Sequence, residues 1–250
     1  MAQRAGEAIL PHFRNDPAVE NKRQDGGYDP VTVADRAAEA AVRAAIAERY
    51  PAHGIFGEEQ GFQAGNGLTW VVDPIDGTRA FMTGMLHWGV LIALFDGVEP
   101  VLGVMHQPFT DEFWLGTNDA AEYRRGTVSR PLCVRAAANV ADSVMGSTGP
   151  QYFAGPDEQQ AFNALREEVR FTRFGGDCYI YAALSMGQLD LVVEASLNAY
   201  DIQALIPIVR GAGGIVTTWD GGDASMGGRV IAAGDAEVHR AALAILARGR

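Results

Sequence analysis

The chain reads as a layered α/β protein. Strand-like and helical segments alternate along its second half, an Ala-rich stretch with polar residues at helical spacing fills residues 34–49, and short apolar runs joined by tight turns fill much of 68–116. With 250 residues, 48% of them hydrophobic and 20% charged, it can bury a sizeable core as one large domain or two close-packed halves.

The elements follow in order. Residues 1–15 carry Arg4, Glu7, His12 and Arg14 among apolar neighbours, the spacing of an amphipathic helix rather than the unbroken apolar core of a signal peptide. The segment from Asp29 to Asp35 leads into the clearest helix, at 34–49, with Asp35 in its first turn where a carboxylate suits the helix dipole. Residues 60–67 turn to Gly, Gln and Asn and read as a surface loop. Strands are expected at 68–72, 88–95, 98–105 and 112–116, with turns such as Asp96-Gly97 between some of them. Past Pro131, strands at 143–147, 169–174, 189–193, 214–219 and 229–233 interleave with helices at 157–168, 177–186, 202–211 and 235–248. This organisation predicts a single domain over 1–250, built of two packed αβ halves at about 1–132 and 133–250.

Composition narrows the function classes. The chain has 31 acidic and 20 basic side chains, a formal net charge of −11, and no Lys/Arg cluster, which argues against a nucleic-acid surface. No run of eighteen apolar residues occurs, so no membrane span is expected. Cys133 and Cys178 lie far apart and form no Cys-x-x-Cys, so neither a disulfide framework nor a structural zinc site is expected; reduced thiols fit a cytoplasmic protein.

The most informative stretch is residues 70–78, Trp-Val-Val-Asp-Pro-Ile-Asp-Gly-Thr. An apolar run ends in two carboxylates, Asp73 and Asp76, whose crowding is costly unless cations lie between them. Gly77 permits close backbone approach, and Thr78 can open a helix whose free N–H groups attract an anion. An Asp-rich turn after a strand is the plainer reading of the same residues. Three further acidic segments stand beside it: Gly57-Glu58-Glu59 after an apolar pair, Asp35 at its helix start, and Tyr200-Asp201 after Glu194. Taken singly, a Glu pair is most often a solvated face and an Asp before a helix most often a cap.

The combination is more specific. Gly57-Glu58-Glu59, then Asp73-Pro74-Ile75-Asp76-Gly77-Thr78, then Tyr200-Asp201 followed by Gly211-Ala212-Gly213-Gly214 resembles the inositol monophosphatase family in order and approximate spacing, over nearly the whole chain. The resemblance implies the αβαβα sandwich of the inositol monophosphatase and fructose-1,6-bisphosphatase type, and a magnesium-dependent phosphatase of small phosphate esters holding two or three Mg2+ ions. It also implies a homodimer. On that pattern Asp73 bridges two ions, Glu58 and the carbonyl of Ile75 complete the first ion's shell, and Asp76 and Asp201 hold the second. Gly77 and Thr78 bind phosphate through backbone N–H groups, while Asp35 and the Thr78 hydroxyl orient and deprotonate the attacking water.

Within the family, Arg79-Ala80-Phe81 and Tyr200 replace the Thr-Asn-Phe and Trp more usual in inositol-specific members. With Phe174-Gly175-Gly176-Asp177-Cys178-Tyr179 and Leu189-Asp190-Leu191-Val192-Val193-Glu194, they make the chain similar to the histidinol-phosphatase branch. Histidinol phosphate carries an ammonium and an imidazole beside its phosphate, so its pocket wants carboxylates away from the metals. Asp177 and Glu194 are candidates, with Asn198 adding a hydrogen bond; the plainer readings are a helix cap for Asp177 and an Arg-paired strand end for Glu194. The alternatives for the whole protein are a phosphatase of inositol, sugar or nucleotide phosphates, and a non-catalytic module that senses metal and phosphate.

Overall fold

The computed structural model describes residues 1–15, 19–21 and 30–248; Asp29 lies outside them. The first half runs α1 (Ala2–Ile9), β1 (Val19–Asn21), β2 (Pro30–Thr32), α2 (Val33–Arg49), β3 (Gly54–Gly57), β4 (Gly61–Gln63), β5 (Thr69–Asp76), α3 (Thr78–Met82), β6 (Gly89–Phe95), β7 (Pro100–Gln107), β8 (Glu112–Thr117), β9 (Ala121–Arg125) and β10 (Val128–Pro131). The second runs β11 (Val144–Ser147), α4 (Pro156–Glu168), β12 (Phe171–Phe174), α5 (Cys178–Ser185), β13 (Leu191–Leu197), α6 (Ala199–Ile202), α7 (Leu205–Gly211), β14 (Ile215–Thr218), β15 (Gly228–Ala233) and α8 (Ala236–Arg248).

Strands β3 to β10 form an eight-stranded sheet in the order β10-β9-β8-β7-β6-β5-β3-β4, antiparallel except where β3 runs parallel to β5. Strands β11 to β15 form a second sheet in the order β12-β11-β13-β15-β14. Successive side chains of a strand point to opposite faces, and here both faces are covered. Val72, Val90 and Ile92 pack against α1 and α2 through Ile9 and Val42. Their neighbours Val71, Leu91 and Ala93 face the other way, onto Tyr181 of α5 and Ile208 of α7. The same central layer meets Val192 and Val230 of the second sheet. Leu191, Val193 and Ile231 turn outward to Phe162 and Leu165 of α4 and Ala242 and Leu246 of α8. The layers therefore stack as αβαβα, which explains why the strands read as continuous apolar runs rather than alternating ones.

Several expected boundaries move. The helix expected over 1–15 stops at Ile9, and Pro11 sits in a tighter 3-10 turn over Leu10–His12, because proline has no N–H to continue the ladder. The expected loop at 60–67 contains β4, paired back onto β3 from Gly57↔Gly61 to Ile55↔Gln63. Strand β5 continues past residue 72 to Asp76. The single helix expected at 202–211 divides into α6, which begins earlier at Ala199, and α7. β9 and β10 have no counterpart among the expected strands; β10 is exposed throughout, so no apolar alternation marks it.

Candidate active site

The site begins where the β5–β6 ladder slips. Pairing runs from Thr69↔Phe95 to Asp73↔Leu91, then shifts before Asp76↔Gly89. Pro74 lies in the slip and has no N–H to donate to the ladder. The Ile75 N–H instead donates to Asp73 Oδ1 at 3.0 Å. Gly77 turns the chain with φ 85° and ψ 37°, and a Cβ there would lie 2.8 Å from the His87 carbonyl oxygen, so both conformation and space require glycine. Thr78 opens α3, its hydroxyl donating to the Ile75 carbonyl at 3.1 Å. Ile75 itself is buried, at 1% exposure.

The second half supplies the rest. The Cys178 N–H donates to Asp76 Oδ2 at 2.6 Å, joining α5 to β5. Asn198 precedes α6, and its backbone N–H and side-chain amide donate to Asp201 Oδ2 at 2.6 and 3.3 Å. The expected substrate contact of Asn198 thus has a competitor, since its side chain holds Asp201. Asp73, Asp76 and Asp201 come together with carboxylate oxygens within 4.8 Å of one another. Glu58 follows β3, its N–H donating to the Val72 carbonyl at 3.1 Å, and its charge bears on both Asp73 and Asp201.

Electrostatics make this a site for cations. Burial first, then Glu58, Asp76 and Asp201, push the Asp73 carboxyl well above the usual carboxylate range. Burial, then Asp177 and Asp201, do the same to Asp76. Asp201 is pushed up to about 7, chiefly by burial. Among the described residues, none of these three carboxylates has an ion pair with Arg, Lys or His. Crowded, desolvated oxygen donors without a protein cation are the donor set that hard divalent ions prefer.

Asp35 and Thr78 do not hydrogen-bond to each other. Asp35 Oδ2 accepts the Thr32 N–H at 2.8 Å and the Thr32 hydroxyl at 2.5 Å, while Thr32 Oγ1 accepts the Ala34 N–H at 3.1 Å, a reciprocal cap on α2. Asp35 is 1% exposed, and burial raises it to about 6 against the pull of the Thr32 bonds.

A cleft of about 220 Å³ is lined by Asp76, Gly77, Thr78 and Asp201, and also by Asp177, Glu194 and Asn198. Asp177 holds the position before α5 yet makes no capping hydrogen bond. Its φ of 44° with ψ of −131° is costly for a residue with a Cβ. Its Oδ2 lies 3.8 Å from His87 Nε2, and burial raises its carboxyl to about 6. Glu194 on β13 is 5% exposed and accepts the Thr148 N–H at 3.0 Å, with no ion pair to Arg among the described residues. Burial raises it to about 7.

Three contributors escaped sequence reasoning. The buried Tyr181 hydroxyl lines the cleft beside Glu194, and burial together with that carboxylate holds the phenol well above its usual pKa. The Tyr152 hydroxyl accepts from Arg79 at 2.9 Å across the cleft wall. Glu39, fully buried on α2, accepts the backbone N–H groups of Glu59 and Gln60. The last carried a signal: Asp35, Glu39 and Arg43 recur every four residues on one helix face.

Fold and cleft together define the class: a five-layer α/β protein with a partly buried carboxylate cluster able to hold metal beside a small polar cleft. The family model described as the inositol monophosphatase family matches residues 1–249, and the chain belongs to that family. The family is metal-dependent, and its members are phosphatases of small phosphate esters. The chain is 36% identical to the chloroplastic bifunctional phosphatase IMPL2 of Arabidopsis thaliana over 97% of its own length and 72% of that protein. It is 32% identical to the histidinol-phosphatase of Chlorobaculum parvum over 100% of its own length and 95% of that protein. An inositol monophosphatase structure from Zymomonas mobilis superposes with a TM-score of 0.87 at 38% identity, covering 98% of this chain and 94% of that one. No helix among the described residues is long and apolar enough to cross a membrane.

Proposed function

We propose that the protein is a magnesium-dependent phosphomonoesterase that converts L-histidinol phosphate to L-histidinol and phosphate. The observation that carries this reading is the cleft itself: one wall holds the Asp76-Gly77-Thr78 turn and Asp201, and the same cavity is lined by two further carboxylates, the half-buried Asp177 and the buried Glu194. An inositol ring offers these no positive charge, whereas histidinol offers an ammonium and an imidazole. The identity to a histidinol-phosphatase over the full chain supports it.

In this reading Glu58, Asp73, the Ile75 carbonyl, Asp76 and Asp201 hold two or three Mg2+ ions. When bound, those ions polarise the phosphate, lower the pKa of a water and neutralise the leaving oxygen. Gly77 and Thr78 direct backbone N–H groups at the phosphate oxygens. Asp35 takes the proton of the attacking water, and the Thr78 hydroxyl orients that water. Asp177 and Glu194 seat the cationic end of the substrate. The active protein is a cytoplasmic homodimer.

The test is a substrate panel. Purified protein with Mg2+ is assayed against histidinol phosphate, inositol 1-phosphate, a sugar phosphate and a nucleotide monophosphate. Histidinol phosphate should give the highest kcat/KM, and Glu194→Gln should raise its KM while leaving an aryl phosphate that carries no cationic group little affected. Equal or better turnover of inositol 1-phosphate, the second reading favoured by the Zymomonas mobilis structure's name, would replace the proposal. Metal binding without phosphate release from any ester would instead support the non-catalytic module.

A further inference from the structure

The turn that carries Glu58 is held from outside the cluster. Glu39 is 0% exposed, and its carboxylate reaches out of α2 into the β3–β4 turn. Oε2 accepts the Glu59 N–H at 2.7 Å, and Oε1 accepts the Gln60 N–H at 3.1 Å. Arg43, one helical turn on, donates from Nε to Glu39 Oε1 at 2.7 Å and from Nη2 to the Gly61 carbonyl at 2.6 Å. Gly57 closes the other side: a Cβ there would lie 2.1 Å from Glu39 Oε1. Residues 57, 59, 60 and 61 are thus all fixed against one carboxylate and its guanidinium, and Glu58 lies between them.

We infer that Glu39, backed by Arg43, is a positioning residue that presents Glu58 to the metal cluster. This rests on the reading of Glu58 as a metal ligand. The physical need is plain. Once an ion draws both into their charged forms, Glu58 and Asp73 repel each other, so a free turn would not by itself keep Glu58 in place. Magnesium tolerates little departure from octahedral geometry, and a ligand delivered by a loose turn costs ordering free energy on binding. Glu39 removes that cost by holding two turn amides with one charged acceptor. Arg43 neutralises the carboxylate, so the brace adds no net negative charge beside a cluster already crowded with it. Asp35 and Glu39 lie four residues apart on one face of α2. One rigid helix therefore places both the carboxylate proposed for the attacking water and the brace for the first ion's ligand.

The experiment is a calorimetric Mg2+ titration of the full chain, with no substrate, for wild type, Glu39→Gln and Glu58→Gln. A glutamine at 39 keeps one acceptor oxygen but turns an N–H2 toward the two turn amides. It should weaken Mg2+ binding about tenfold, the scale seen when groups behind a metal ligand are changed. Hydrogen exchange across residues 57–63 should quicken in the metal-free variant. The Mg2+ concentration for half-maximal turnover should rise more than the rate at saturating Mg2+ falls, with a purely stabilising role lowering Tm alone. Affinity within twofold of wild type overturns the inference. If Glu39→Gln does not fold, Arg43→Lys is titrated instead; it keeps the charge but loses the two-point hold, and unchanged Mg2+ affinity there also overturns the inference. Glu58→Gln separates the two readings. Should it bind Mg2+ like wild type, the metal assignment of Glu58 fails and the brace has nothing to present; should it lose affinity while Glu39→Gln does not, the brace alone fails.

Discussion

Replacing Asp76 by Asn tests the electrostatics of the cluster before any turnover is measured. Asp73, Asp76 and Asp201 hold carboxylate oxygens within 4.8 Å of one another. Two full charges at that separation repel by about 3.5 kcal/mol at an effective dielectric of about 20. Ionisation at neutral pH is incomplete, because burial and the neighbouring carboxylates raise Asp73 and Asp76 well above the ordinary value of 3.8 and raise Asp201 to about 7. The residual destabilisation of the metal-free protein is therefore a fraction of the full repulsion, on the order of 1–2 kcal/mol. Asparagine keeps an oxygen able to accept the Cys178 N–H, now 2.6 Å from Asp76 Oδ2, and removes the charge. With EDTA at pH 8, Asp76→Asn should melt roughly 2–8 °C above wild type. The sign follows from linkage: an acid raised in the folded state costs nothing below its unfolded value near 3.8 and its full amount above the folded one. The gap should thus widen as pH rises from about 5 to 8 and close near pH 4. Mg2+ at about a hundred times its Kd should stabilise wild type by about 2.7 kcal/mol and the variant far less. Scanning calorimetry with and without EDTA reads both effects. A variant that melts below wild type in EDTA at pH 8, or that gains as much from Mg2+, refutes the reasoning.

Three further outcomes are expected. Thr78→Ala removes the hydroxyl that donates to the Ile75 carbonyl at 3.1 Å, and should lower kcat by about 10²-fold while KM moves little; steady-state kinetics that put the loss in KM would count against its role on the water. Gly57→Ala forces a Cβ to 2.1 Å from Glu39 Oε1, and should destabilise the protein by about 1–3 kcal/mol in urea unfolding as well as weaken Mg2+ binding. Asp35, raised to about 6 by burial, must be ionised to act as a base, so kcat/KM should rise with pH along a limb at or below about 6, since bound cations can only lower it; a limb above pH 7, or one that survives Asp35→Asn, would exclude that role.

Much of the frame was legible in the sequence, for reasons that can be named. The Ala-rich pattern of α2 and the apolar runs of β5 to β8 announce themselves because burial on both sides leaves few polar interruptions. β4 and β10 do not, since edge strands exposed to water need no apolar residues, and Gly61 reads as a loop glycine until its pairing with Gly57 is seen. The metal-type carboxylates were legible as motifs, because tight turns around Asp73, Asp76 and Asp201 demand Pro, Gly and Asn in fixed places. What could not be read was orientation. Asp177 occupies a cap position, but only its strained backbone turns the carboxylate into the cleft instead of onto the helix end. Glu39 lies on a face whose partner, the turn at 58–61, is brought to it by tertiary packing alone.

The bond from Cys178 to Asp76 spans 102 residues of sequence and crosses from one sheet's half of the chain to the other's. Asp201 reaches the same cluster from still further along. The cluster is consequently completed only when both halves have folded and docked, late in any folding sequence that closes local contacts first. Without cations it leaves like charges facing each other across the seam where the two halves meet. That seam is the natural place for the molecule to open first, so amide exchange around residues 73–78 and 198–203 should report chelation before the outer helices feel it. On the proposed reading, ion binding would then do more than prepare a reaction: it would set how tightly the two sheets stay shut.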